Sequence, residues 1–291
     1  MIKNAFIFRL TEVLSADDLN EQLAKHRFNG IGSLEKQAIG FEPLADDLDL
    51  IHEVGGVRAG CVRVDSKSIP GSTLKQMVKE RCAQIEEQQG YAPGRKQRNE
   101  IKEMLIDQLL PKVLPTTKRI TFFIYDDLMI IDSSSPATAD VVVGLFARCV
   151  DPLPATTIRT ERSPAAAMTQ WLVGDEAPDG FSIDQEVEMK ASNETRASVR
   201  WKNETVDLKE AQDHFRQGKQ CIKMAMTWAD RVSFALNDKG VITKIKPLDV
   251  LKEIGMERAE EGLDGEIALV GTEVYKLVTG MIDALGGEVE L

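Results

Sequence analysis

This chain has little with which to do chemistry. Among its 291 residues are three histidines and four cysteines. His26, His52 and His214 stand alone, outside any HExxH arrangement and beside no candidate nucleophile, so no metal site is expected. Cys61, Cys82, Cys149 and Cys221 form no CxxC pair; this excludes a zinc ribbon or a thioredoxin-like motif and fits a reduced, intracellular chain. GxSxG and GxGxxG are missing. The nearest thing to a phosphate loop, Gly90 to Gln97, fails the pattern, because Arg95 separates Gly94 from Lys96 and Gln97 stands where Ser or Thr is needed. No cofactor is expected. Aromatic residues make up 5%, so platforms for stacking unpaired bases are few. No run of about 18 apolar residues exists, which argues against a membrane span. The opening Met1 to Leu10 is broken by Arg9 and lacks the length and small-residue cleavage site of a signal peptide. A cytoplasmic protein is expected.

What is present is an ordinary globular composition with an uneven charge distribution. Hydrophobic residues are 43% and charged residues 29%, and the length allows one large domain or two to three smaller ones. The net charge of −11 argues at first against nucleic acid. Between Gly90 and Arg119, however, seven basic side chains (Arg95, Lys96, Arg98, Lys102, Lys112, Lys118 and Arg119) face three acidic ones (Glu100, Glu103 and Asp107). That segment carries +4 and leaves −15 for the rest of the chain.

Periodicity predicts an α+β protein with mixed, largely antiparallel sheets. Phe6 to Leu10 reads as a strand, and Ser15 caps a helix over Ala16 to His26. Gly30–Gly32 and Phe41–Pro43 read as turns, and Asp49–Val54 with Gly56–Val64 as a hairpin through Gly55-Gly56. Leu74, Met77, Val78, Cys82 and Ile85 form the stripe of a helix that starts at Pro70 and ends near Gln89. After Gly90–Gly94 a second helix, Gln97 to Leu110, places Ile101, Leu105 and Leu109 on one face. The two make a helical hairpin arm at about 70–114. A hairpin over Ile120–Tyr125 and Leu128–Asp132 and a helix to about Arg148 complete a first region, 1–150. The loop Asp151–Pro154 is the expected boundary. The second region, 151–291, reads as a helix near Ala165–Val173, strands at Glu186–Lys190 and Ser198–Trp201, a helix over Lys209–Gln217, and strands at Gln220–Trp228, Val232–Leu236 and Val241–Lys246. A final helix, Glu273 to Leu285, is ended by Gly286-Gly287.

Two basic stretches and two acidic ones could carry function. In the hairpin, Arg95 to Arg119 is either a phosphate-binding surface or a solvated face in which Glu100 and Glu103 pair with Lys96 or Lys102 at helical spacing. Near Arg196, strand alternation puts Arg200 and Lys202 on one face and Trp201 on the other, which suits a phosphate contact or merely a half-buried strand. Asp46, Asp47 and Asp49 fall in a loop. Asp126, Asp127 and Asp132 would suit a metal-dependent nuclease only if they converged; Asp126-Asp127 also reads as a plain hairpin turn.

The order and spacing of several short elements are similar to the bacterial RdgC family of recombination-associated proteins. They begin with Lys3–Leu10, Glu21–Ala24 and Gly40–Pro43, and continue through the charged helix ending in Leu109-Leu110-Pro111 and the strand ending at Asp132. Then come Thr169–Leu172, Gly180-Phe181, Gly218-Lys219, Met224–Trp228 and Ile282–Glu288. The resemblance covers nearly the whole chain. It implies a non-enzymatic protein whose subunits close into a ring-shaped homodimer around double-stranded DNA, with little sequence preference, in the nucleoid. It also implies restraint of the recombinase that forms filaments on single strands, for which occupancy of the duplex is the expected mechanism; the rival reading is a protein that binds the recombinase directly and touches DNA only weakly. A ring can be negative outside and positive along its lumen, which reconciles the acidity. Carried over by position, Arg98, Lys102 and Lys112 match basic positions of the family, as do Arg200 and Lys202. Arg95 and Lys96 follow a stretch, Gly90–Gly94, of different composition from the family's. Leu114 stands where a relative has an aromatic residue, and Asn203-Glu204 where it has a polar, partly basic pair.

Overall fold

The computed structural model describes residues 2–150, 155–192 and 196–289, and the expected boundary loop Asp151–Pro154 lies outside them. Antiparallel pairing governs both sheets. The first contains β1 (Phe6–Leu10), β2 (Gln37–Glu42), β3 (Ile51–Val54), β4 (Val57–Ser66), β5 (Thr116–Tyr125), β6 (Leu128–Ile131) and β7 (Ala155–Thr157). Their order is β2-β4-β5-β6-β1-β7, with β3 beside the opening half of β4. The second contains β8 (Phe181–Ala191), β9 (Ser198–Lys202), β10 (Lys219–Trp228), β11 (Val232–Asn237) and β12 (Ile242–Pro247), in the order β12-β11-β10-β8-β9. Among the described residues every strand ladder is antiparallel and parallel pairing is confined to the isolated Arg27–Phe41 bridge, so the expected mixed sheets are corrected.

The first sheet is covered on both faces, and its strands show why. In β4 and β5 residues of both parities are apolar: Val62, Val64, Ile120, Phe122 and Ile124 point to one side, Val57, Ala59 and Phe123 to the other. The first side packs on α1 (Ala16–Leu23) through Leu19 and Leu23, and on α4 (Pro136–Phe146) through Val142, Leu145 and Phe146. Phe41, Phe122 and Phe146 meet edge to face there, with centroids 5.0 to 6.4 Å apart.

The opposite side shares one core with the inner face of the second sheet. Into it are packed α5 (Pro164–Gly174), α6 (Leu208–Arg216) and the long α8 (Gly262–Ala284). α8 touches both sheets. A Cβ on Gly271 would lie 2.5 Å from Cγ1 of Val57 in β4, and Gly280 lies against Trp228 and Phe181 of the second sheet. The lead-in to β1 also bridges the sheets, through Ala5 paired with Ile242 and the Lys3 carbonyl accepting from Ile245 N–H. A single hydrophobic core therefore draws on both halves of the chain.

Several elements depart from the sequence expectation: β7 was not expected, β8 starts at Phe181, five residues before Glu186, and β5 at Thr116, four before Ile120. β2 runs through Phe41, which was expected in a turn: Phe41 is fully buried and paired with Val62, the strand ends at Glu42, and the chain bends at Leu44 and Ala45. α7 (Asp249–Glu257) was not expected. α8 starts at Gly262, eleven residues before Glu273. Its early turns contain Gly265 and Gly271, poor helix formers in isolation. The glycines let α8 press onto its neighbours, and tertiary packing overrides their propensity.

Candidate nucleic-acid interface

The helical hairpin consists of α2 (Gly71–Gln89) and α3 (Arg95–Leu109), which pack on each other around a small cluster of their own. Leu74, Ile101 and Leu105 are its buried centre, flanked by Met77, Val78, Cys82 and Ile85. The sequence stripe thus faces inward as expected. Gly90 caps α2 in the left-handed conformation, φ +81°, where a side chain would be strained. A 3-10 turn, Leu110–Lys112, follows α3 and leads to β5.

α3 opens against its own electrostatics. Its N-cap is Gly94, which offers no side-chain acceptor, and its first turn holds no acid. Arg95, Lys96 and Arg98 sit there instead, exposed, at the positive end of the helix dipole. Cations at that end cost about 0.3–1 kcal/mol each. Arg98 folds its Nε–H onto the Pro93 carbonyl at 2.9 Å. Among the described residues, Arg95, Lys96, Lys102 and Lys112 form no salt bridge. The helical pairs with Glu100 and Glu103, one of the two readings of this stretch, are therefore not made. Lys102 lines a polar depression of about 510 Å³ with Lys36, Asn99, Glu103 and Asp107.

Lys118 and Arg119 are not part of that group. They are adjacent in β5 and point to opposite faces of the first sheet. Lys118 donates to Thr138 Oγ1 at 3.0 Å. Arg119 donates to the Pro43 and Leu44 carbonyls at 2.8 and 3.2 Å and pairs with Glu42 at 3.0 Å. Across the ladder from Arg119, Arg63 binds Asp65 and Glu42, and its guanidinium lies 4.5 Å from the Phe28 ring centroid. Arg63 first of all, then Thr117, hold the Asp65 carboxyl below the usual carboxylate range. This network ties β2, β4 and β5 together.

The outer face of the second sheet is the other basic surface. Arg200 and Lys202 share it, while Trp201 turns inward and is buried, as alternation predicted. The structure adds Lys223 of β10 and Lys244 of β12, which sequence reasoning missed. Arg200, Lys223 and Lys244 converge on the carboxylate of Glu186 in β8. Its Oε1 accepts from Arg200 Nη2 at 2.6 Å and from Lys244 Nζ at 3.1 Å, and its Oε2 from Lys244 Nζ at 2.9 Å. Lys223 Nζ stands 3.7 Å from Oε1. The Lys244 bond and then the Arg200 bond, working against partial burial, hold Glu186 down at about 2. Lys223 is lowered by burial and by Lys244 and Arg200 as like charges. Only the pairing of distant strands brings these residues together, although the alternation of Glu186, Glu188 and Lys190 along β8 is visible in the sequence.

The carboxylates of the nuclease reading do not converge. Asp126, at φ +48°, and Asp127 form the β5–β6 turn, and Asp127 pairs with Arg9, which also holds Glu288 at 2.8 Å. Asp132 sits past the other end of β6, where its Oδ1 accepts from the N–H groups of Lys3 and Asn4 at 3.1 and 2.8 Å. Among the described residues no three His, Cys, Asp or Glu side chains are grouped as metal ligands. No described helix is long and apolar enough to cross a membrane.

Comparison with known proteins decides the family. Residues 1–288 match the family model described as "Putative exonuclease, RdgC". This chain belongs to the RdgC family. A relative from Bordetella parapertussis, named Recombination-associated protein RdgC, is 42% identical over 98% of both chains. Proteins of the same name from Cupriavidus necator and Herminiimonas arsenicoxydans are 40% identical over 94% of both chains and 36% identical over 98% of both. The resemblance in order and spacing noted in the sequence is thus a full-length family match.

Proposed function

We propose that this RdgC-family protein binds double-stranded DNA without reading its sequence, as a closed homodimeric ring, and thereby restrains recombinase-driven strand exchange in the nucleoid. The observation that carries this reading is the first turn of α3, where Arg95, Lys96 and Arg98 stand exposed at the positive end of a helix with no acid to offset them. Stability alone disfavours that placement, and a phosphate backbone rewards it. Lys102 and Lys112 extend this surface, and Arg200 and Lys202 supply the second. Lys118 and Arg119 contribute less, because each already has protein partners. Segregating +4 within a chain of −11 suits a ring with an acidic rim and a basic lumen. The hairpin, with its own core, is the element that reaches out to close the ring, and a two-fold axis makes each of the two contacts isologous. The names of the relatives associate them with recombination, and occupancy of the duplex is the mechanism proposed here.

Replacing Arg95, Lys96 and Arg98 together by Ala should weaken binding to all duplexes alike. The slope of log affinity against log salt should become shallower by up to about 2.7, at about 0.9 per phosphate contact. Unequal loss among sequences would mean that the turn reads bases, and an unchanged slope would remove it from the interface. The protein acts without catalysis in this reading, a view supported by the separation of Asp127 and Asp132 at opposite ends of β6. End-labelled duplex incubated with magnesium should remain intact, and cleavage would restore the metal-dependent nuclease reading.

A further inference from the structure

We propose that the outer face of the second sheet carries a phosphodiester site formed by Arg200, Lys223 and Lys244, which the Glu186 carboxylate fills in the free protein and a DNA phosphate takes over on binding. The inference rests on the duplex-binding reading and adds to it a site, two cations and an internal competitor.

Three cations from three strands, β9, β10 and β12, converge on one carboxylate carried by a fourth. Glu188 is set opposite Arg200 and Lys223 in the ladders, Asp184 further along β8 is taken up by Thr227, and Lys202 opposite Glu186 is a fourth cation. Positive groups therefore outnumber the acids of the patch, four against Glu186, Glu188 and the Thr227-bound Asp184. A carboxylate has two oxygens, and here they satisfy Arg200 and Lys244 while Lys223 is left at 3.7 Å, beyond hydrogen-bond reach. Lys223 is nonetheless partly buried, and burial and its cationic neighbours weaken its hold on its proton. A phosphodiester brings one negative charge on two terminal oxygens, free of the tether that fixes the Glu186 carboxylate. It can settle between all three donors.

The backbone is irregular at the two positions that matter. Lys244 has φ +56°, a left-handed conformation that a residue with a side chain adopts only under strain. It lies where the β11–β12 register shifts, between the Ser233–Lys246 and Ala235–Thr243 pairs. Opposite Ala225, β8 spends three residues, Asp184 to Glu186, between the pairs Met226–Ile183 and Met224–Val187. Bulges of this kind re-aim side chains. Both of these bring a charged group to the same point.

The test is the salt dependence of binding to a short duplex by the full chain, measured for the unaltered protein and for Glu186→Gln, Lys223→Gln and the doubly altered Glu186→Gln/Lys244→Gln. Removing the competitor should tighten binding severalfold and steepen the slope by about 0.9. The doubly altered protein, whose formal charge equals that of the unaltered one, should return to the original slope. Lys223→Gln should be shallower than the unaltered protein by up to about 0.9. Equal slopes for the unaltered protein and Glu186→Gln would overturn the inference. So would weaker binding by Glu186→Gln, which would make Glu186 a positioning residue. Lys223→Gln stands as an independent arm if Glu186→Gln does not melt cooperatively, and an unchanged slope there is equally fatal. If the unaltered protein itself fails to bind duplex at low salt, the duplex-binding reading falls as well; binding with no response to Glu186→Gln removes this inference alone.

Discussion

The helical hairpin and the second sheet present the same kinds of cation in opposite states. In the hairpin and the turn that follows it, Arg95, Lys96, Lys102 and Lys112 are exposed and, among the described residues, without salt bridges, beside a core of three buried residues. On the sheet, Arg200 and Lys244 are bound by Glu186, and Lys223 is crowded beside them, on strands whose other face belongs to the main core. Free charge therefore sits on the weakly supported element and compensated charge on the well-supported one. A positive surface is consequently not one property. Cations held by a neighbour must exchange partners on binding, while free ones must only shed counterions and water.

The contrast in support can be broken first at its strong end. Leu277 of α8 is fully buried between the two sheets, and Leu277→Ala should cost about 3 kcal/mol of global stability. In urea this should appear as a lower midpoint with an unchanged slope, and a loss confined to part of the chain would show that the core is not shared. Leu105→Ala, in the hairpin, should cost about 2 kcal/mol, since its small cluster relaxes more easily. Faster amide exchange limited to residues 71–109 is expected, and faster exchange throughout would join the hairpin to the body as one cooperative unit. The smallest effect concerns Glu186. Its depressed carboxyl contributes stability that is fully present above the unfolded carboxylate range, near 4.3, and is lost as pH falls through about 2. Stability of the unaltered protein should thus fall more steeply below pH 4.3 than that of Glu186→Gln. Parallel curves would mean that the cluster gives no net coupling.

Much of the fold was legible because local patterns and packing agree there. The hairpins through Gly55-Gly56 and Asp126-Asp127, the stripe of α2 and the inward turn of Trp201 all follow from periodicity and turn chemistry. The failures have particular causes. Phe41 lies two residues before Pro43, so its strand was hidden by the turn that ends it. The front of α8 was hidden by Gly265 and Gly271, whose value lies in close approach to other elements and not in local propensity. At the candidate site, Arg200 and Lys202 were legible because they share a strand. Lys223 and Lys244 were not, since they meet only through ladders joining residues tens of positions apart.

By itself, the sequence determined the family, the segregation of charge, most of the helices and strands, and the absence of recognisable catalytic motifs. These are local or compositional properties, present before the chain folds. Only the tertiary structure decided which cations are free and which are bound, that Lys118 and Arg119 take partners on different elements, and that Lys223 and Lys244 meet Arg200 at Glu186. The reason is physical: a charge acts over a few ångströms, and sheet pairing, not chain order, sets those distances.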